Sequence, residues 1–120
     1  MADLLHEEAA MATFALLQTS HCFVAHSHVP FLCREVDRHA AFERLPEGVP
    51  VSIYQGRLIL NPGSVGQPRD RDARAAYVLY NTDAGTVILH RVAYDIPITQ
   101  EKMLRAGLPV PLITRLAVAR

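Results

Sequence analysis

The chain has 120 residues, half of them hydrophobic and a fifth charged, and its twelve lysines plus arginines balance twelve aspartates plus glutamates. This composition excludes a disordered chain, and the length fits one domain with a modest core. Zero net charge argues against nucleic acid as a partner: the nearest thing to a basic stripe, Arg69, Asp70, Arg71, Asp72 and Arg74, alternates in sign and largely cancels.

Residues 3–18 are predicted to form a helix, with Asp3 as N-cap, acidic residues in the first turns, and Leu4, Leu5, Met11, Phe14 and Leu17 as its apolar stripe. Asp3, Glu7 and Glu8, with no early lysine or arginine, argue against a secretory leader. No apolar run approaches the roughly 20 residues that span a bilayer, so no membrane is expected as a partner and the cytoplasm is the expected location. Cys22 and Cys33 form no CxxC pair and require no oxidising compartment, and Cys22 is expected to act as a small buried hydrophobe.

Residues 21–25 form a nearly continuous apolar run, as in a strand covered on both faces. A second strand is predicted over 30–36. The charged stretch 37–49, with Pro46 and Gly48, reads as a surface loop. Residues 51–54 and 57–60 read as strands around a Gln55-Gly56 turn. The segment from Asn61 to Asp70 holds two glycines and two prolines and must be a long turn. Residues 75–81 and 86–94 are strands joined by Asp83-Ala84-Gly85. Thr99 is expected to cap a helix over 100–106, stopped by Gly107 and Pro109, and 111–119 to form a second short helix. The pattern is that of an α+β fold with a mostly antiparallel sheet.

Two features carry chemistry. His26 and His28 stand at i and i+2 after an apolar strand and before Val29-Pro30. Imidazole is a common metal ligand, and the carboxyl ends of strands are where open sheets build sites. An HxH is common by chance in a chain with six histidines, so its position gives the pair its weight. The second feature is the Asn61–Asp70 turn. Gly63 and Gly66 fit a tight backbone path and Ser64 fits a cap within it, with a supporting role near a site as the functional alternative. The interleaved aspartates make solvated ion pairs the expected role of Arg69, Arg71 and Arg74.

Cys22-Phe23-Val24-Ala25-His26-Ser27-His28-Val29-Pro30 resembles the "FVGHTHVP" segment of the calcineurin-like metallophosphoesterases. Leu60 to Arg69 resembles their "NPGSVGQPR" segment, and Arg91-Val92-Ala93-Tyr94-Asp95 their "RVxYD" strand. The resemblance runs from about Glu7 to Arg120 and implies a single partial domain, 1–120, equivalent to the C-terminal half of a four-layer αββα sandwich. It further implies that His26 and His28 are ligands of a dinuclear centre holding divalent metals of the Mn, Fe, Zn or Ni type. His26 would serve the metal shared with a GNH(D/E) asparagine, and His28 the metal held by a DxH motif. Asn61, Gly63 and Ser64 would support the site. The implied reaction is phosphomonoester or phosphodiester hydrolysis.

The chain departs from the family pattern in two respects. Ala25 stands where the family has glycine, which implies a slightly shifted loop or a less demanding position. The DxH, GD, GNH(D/E) and HG motifs are absent. Asp37-Arg38-His39 has the letters of DxH but lies after the histidine pair, in a charged stretch, and is taken as a solvated coincidence. Two neutral imidazoles without a carboxylate cannot hold two cations about 3.5–4 Å apart, so the chain alone is expected to be inactive and to bind metal weakly. The expected partner is an N-terminal half of the same fold, or a second copy. Two alternatives are a non-enzymatic oligomerising module and a mononuclear zinc site drawn from His21, Cys22, His26, His28 and Cys33.

Overall fold

The structure, a computed structural model, describes residues 6–120. Among them, in chain order, lie α1 (Glu7–Leu16), β1 (His21–Phe23), β2 (Phe31–Val36), β3 (His39–Glu43), β4 (Val51–Ser52), β5 (Leu58–Asn61), β6 (Ala75–Asn81), β7 (Thr86–Val92), α2 (Ile96–Arg105) and α3 (Val110–Val118). The strands form two sheets, ordered β1-β5-β2-β3 and β4-β7-β6. Every pairing between strands is antiparallel except that of β1 with β5.

The apolar run of β5 feeds two cores because successive side chains point to opposite faces. Ile59 is in register with Cys22 and Cys33 and joins Phe31, Ala10 and Phe14 beneath α1. Leu58 and Leu60 face the other way and join Leu32, Ile53, Val87 and Leu89 between the sheets. All four residues of β5 are buried. Helix α1, the first sheet and the second sheet are thus three successive layers of an α+β fold, and Phe14, fully buried, anchors the helix. Burying one such side chain is worth about 1.5–3 kcal/mol. Arg57 closes the helix end, donating from Nη1 to the Phe14 oxygen at 2.7 Å. Helices α2 and α3 pack chiefly on each other. Among the described residues no helix is long and apolar enough to cross a membrane.

Several local expectations are corrected. The first helix is shorter than 3–18, and its proposed cap Asp3, with Leu4 and Leu5, lies outside the described residues; His6 is the N-cap, with no side-chain capping bond. Strand β1 ends at Phe23, two residues early, although the Val24 amide still bonds to the Leu60 oxygen at 2.8 Å. The stretch 37–49 is not all loop, since β3 runs through it. Asp37 and Arg38, with φ of 49° and 65°, make the two-residue hairpin turn that usually takes Asn-Gly. Strands β4 and β5 do not form a hairpin. Val51 and Ser52 pair with Val87 and Thr86 of β7, so Gln55-Gly56 carries the chain from one sheet to the other. The helix predicted from Thr99 begins earlier, capped by Asp95, whose Oδ1 accepts from the Ile98 amide at 3.1 Å. Pro97 sits in the first turn of this helix, where its missing N–H costs nothing.

Candidate metal centre

The parallel pairing of β1 with β5 places the loops that follow them, 24–30 and 62–70, at the same end of the sheet. Each loop carries one of the two motifs, and side chains bind the loops together. Asn61, at the end of β5, is fully buried. Its Nδ2 donates to the Ala25 oxygen at 3.1 Å and to Ser27 Oγ at 3.0 Å. Its Oδ1 accepts from the Gly63 amide at 2.9 Å. Ser64 Oγ accepts from the Gln67 amide at 2.9 Å, the turn-capping role expected of it. Gly63 adopts φ +87°, and a Cβ there would lie 2.8 Å from Pro30 Cγ, so both its conformation and its smallness fit it against the histidine loop.

The two histidines carry the backbone strain of the first loop. His26 has φ of 79° and His28 of 59°; Ala25 is not among the positive-φ residues. Of the two expectations for Ala25, a shifted loop or a less demanding position, the backbone fits the second: the glycine-like conformations fall on the histidines. His26 is exposed, His28 half-buried and Ser27 between them buried. His28 Nδ1 lies 2.7 Å from the Gln67 carbonyl oxygen. A carbonyl can only accept, so in the neutral imidazole Nδ1 carries the proton and Nε2 keeps its lone pair. A bond of this kind orients an imidazole and fixes its tautomer so that the opposite nitrogen can meet a metal. The Arg69 amide returns a bond to the His28 oxygen at 3.2 Å, and Arg69 Nη2 donates to Gln67 Oε1 at 2.9 Å. Gln67 was invisible as a candidate because its part in holding His28 is played by a main-chain oxygen, which any residue carries.

The donor set fits one side of a metal site. Two imidazoles are present on one loop, one with its Nδ1 engaged and its Nε2 left open, but among the described residues no group of three or more histidine, cysteine or acidic side chains gathers to hold an ion. The mononuclear zinc alternative is not borne out. Cys22 and Cys33 flank Ile59 in register, two strand spacings apart, or about 9–10 Å. Both are free. Cys33 lies in the core under α1, where burial, with help from the Glu43 and Glu7 carboxylates, pushes its thiol up to about 11. His21 is spent on the Ile53 oxygen, 2.6 Å from Nε2. His39 sits on the surface with its Nδ1 2.8 Å from Glu7 Oε1, and Asp37 is in the preceding turn.

In the charged stretch after the turn, Arg74 makes partly exposed pairs of the expected kind, and the aspartates also meet a buried guanidinium. Arg91, with its side chain only 6% exposed, pairs with Asp70 and approaches Asp72 at 3.8 Å. Arg74 grips Asp72 through Nε and Nη2 at 3.0 and 2.7 Å and also reaches Glu47. The Arg74 hydrogen bonds hold Asp72 at about 2, and Arg74 likewise lowers Glu47.

Comparison with known proteins follows the same lines. The chain is 37% identical over 98 residues to Uncharacterized protein MJ0912 of Methanocaldococcus jannaschii, a match covering 82% of this chain and 39% of that protein. A metallophosphoesterase from Sphaerobacter thermophilus, known by crystal structure, superposes with a TM-score of 0.87 at 44% identity, over 92% of this chain and 46% of the other. Hypothetical protein PH1004 from Pyrococcus horikoshii OT3 shares the fold alone, at a TM-score of 0.62 and 21% identity, over 94% and 36%. No family model matches the chain. The chain spans less than half the length of each of these proteins.

Proposed function

We propose that the chain is the C-terminal half of a metallophosphoesterase of the calcineurin-like fold, as its likeness to the Sphaerobacter thermophilus metallophosphoesterase supports, and that it supplies one side of a dinuclear, phosphoester-hydrolysing metal centre. His26 and His28 are the ligands it contributes, and Asn61, Gly63 and Ser64 hold the loop that presents them. The observation that carries this reading is the bond from His28 Nδ1 to the Gln67 oxygen, which leaves Nε2 as the nitrogen available to a metal. Divalent metals bound there supply an acidified water and the positive charge that stabilises a phosphoryl group in displacement. The carboxylate and asparagine ligands come, in this reading, from an N-terminal half of the same fold.

The open side of the molecule supports such a partner. Among the described residues, strand β1 pairs in its sheet only with β5, and β6 only with β7. These two edges lie together: the Tyr80 ring on β6 meets the rings of Phe23 and His21 on β1, with centroids 5.6 and 6.2 Å apart. A cavity of about 170 Å³ lined by Phe23, Leu60, Pro62, Val78 and Tyr80 opens along this seam. Phe23, on its wall, is 51% exposed. Unpaired edges and apolar side chains of this kind attract a further strand.

The test is complementation. The chain is mixed with the N-terminal portion of the Sphaerobacter thermophilus relative in the presence of Mn²⁺, and hydrolysis of a generic aryl phosphodiester is followed. Hydrolysis is expected from the mixture. His26→Ala or His28→Ala should lower it by more than the roughly 10–100-fold typical of losing a supporting group. A folded, associated mixture with no hydrolysis overturns the reading. The same seam favours a second copy as the alternative occupant, and sedimentation of the chain alone reads that out.

A further inference from the structure

We infer that Asn61 is the positioning residue for His26: its carboxamide holds the histidine in a strained γ-turn, so that the ligand pair stands preformed. The inference rests on the metal-site reading for its purpose, though not for its geometry. The Ser27 amide donates to the Ala25 oxygen at 3.0 Å, an i→i+2 bond across His26, and His26 has φ of 79°. Together these define a γ-turn of the positive-φ kind, the rarer and more strained of the two. A non-glycine residue keeps such a conformation only where its surroundings impose it, and it is at functional sites that this occurs most.

Asn61 is what imposes it. The Ala25 oxygen that closes the turn accepts a second bond from Asn61 Nδ2 at 3.1 Å. The other Nδ2 proton goes to Ser27 Oγ at 3.0 Å. Both neighbours of His26 are therefore fixed by one amide nitrogen. The Asn61 side chain is fully buried and Ser27 is 4% exposed, so a lost partner there is not replaced by water. The orientation of the amide is also determined. Oδ1 accepts from the Gly63 amide at 2.9 Å, and a flipped amide would set oxygen against the Ala25 oxygen and NH₂ against a donor.

The competing role is purely structural: Asn61 could serve only to turn the chain at Gly63. That role needs Oδ1 alone. Asn61→Asp keeps the oxygen and the shape while removing both N–H donors, and so separates the two roles. The experiment uses the ¹⁵N-labelled chain by itself, with two NMR readouts: hydrogen exchange of the Ser27 and Gly63 amides, and the histidine ring nitrogens during titration with ZnCl₂. In Asn61→Asp the Gly63 amide should keep its protection while Ser27 exchanges about tenfold faster or more. The zinc response of the His26 ring should weaken by about 10–100-fold in midpoint, with that of His28 less affected because the Gln67 oxygen still holds it. Should Asn61→Asp fail to fold, Ser27→Ala removes one of the two acceptors and should move both readouts in the same direction. A folded variant with unchanged Ser27 exchange overturns the inference, whether or not zinc binds tightly enough to give a midpoint. Failed complementation with accelerated Ser27 exchange would sink the hydrolytic reading and leave Asn61 as the positioning residue. Restored hydrolysis with unchanged exchange would do the reverse.

Discussion

The imidazole of His28 and the main-chain oxygen of Gln67, 39 residues apart in sequence, are joined by a 2.7 Å hydrogen bond. The bond determines which ring nitrogen bears the proton, because the carbonyl has none to give. In the neutral chain, ring-nitrogen NMR should find the His28 proton on Nδ1. A proton on Nε2 would contradict the arrangement and remove the main support for His28 as a ligand.

Gly63 should resist substitution. Its φ of +87° is unfavourable for alanine, and the added Cβ would meet Pro30 Cγ at 2.8 Å and Ala76 Cβ at 3.1 Å. Neither obstacle is the loose end of a flexible side chain. Gly63→Ala should lower the unfolding free energy by about 1–3 kcal/mol, measured as a shift of the urea midpoint at unchanged slope. Gly66→Ala, with no atom in the way and no positive φ, should cost clearly less.

The Asp72–Arg74 pair predicts an acid-side loss of stability. The Arg74 hydrogen bonds hold Asp72 at about 2, below the roughly 3.9 of an unfolded aspartate. The contribution is present above about pH 4 and is lost as pH falls toward about 2, where the folded carboxylate must also take a proton. Glu47, lowered by the same guanidinium, adds in the same direction. Asp72→Asn should therefore flatten the fall in urea midpoint between about pH 5 and about pH 2.5, at a neutral-pH cost of at most about 1 kcal/mol.

Cys33 should be chemically silent in the folded chain. Its thiol is pushed up to about 11, chiefly by burial, so at neutral pH little thiolate exists to react. Disulfide-exchange reagents should modify the half-buried Cys22 first and reach Cys33 only as urea unfolds the chain. The linkage sign is opposite to that of Asp72. This contribution is whole below the roughly 8.5 of an unfolded cysteine and is lost as pH rises through the folded value. Cys33→Ala should reduce the alkaline loss of stability.

Much of the local structure was legible because it rests on neighbouring residues. The β6–β7 hairpin follows from its turn, where Asn81 Oδ1 accepts from the Asp83 and Ala84 amides at 3.1 and 3.0 Å. The stop of α2 follows from Gly107, whose φ is +75°. The two loops of the candidate site were legible as motifs, and the capping role of Ser64 could be read from its place between two glycines.

The sequence by itself determined that His26 and His28 belong to a loop after an apolar strand and that Asn61 stands where another apolar strand gives way to a turn, because an apolar run and its breakers are local signals. The tertiary structure alone decided that β1 and β5 lie parallel and bring those loops to one end, and that β4 leaves β5 for β7. It also decided that the strain sits on the histidines rather than on Ala25, and that the Gln67 oxygen selects a ring nitrogen of His28. Those relationships depend on strand pairing between distant segments and on main-chain atoms common to every residue, and neither leaves a mark in the order of side chains.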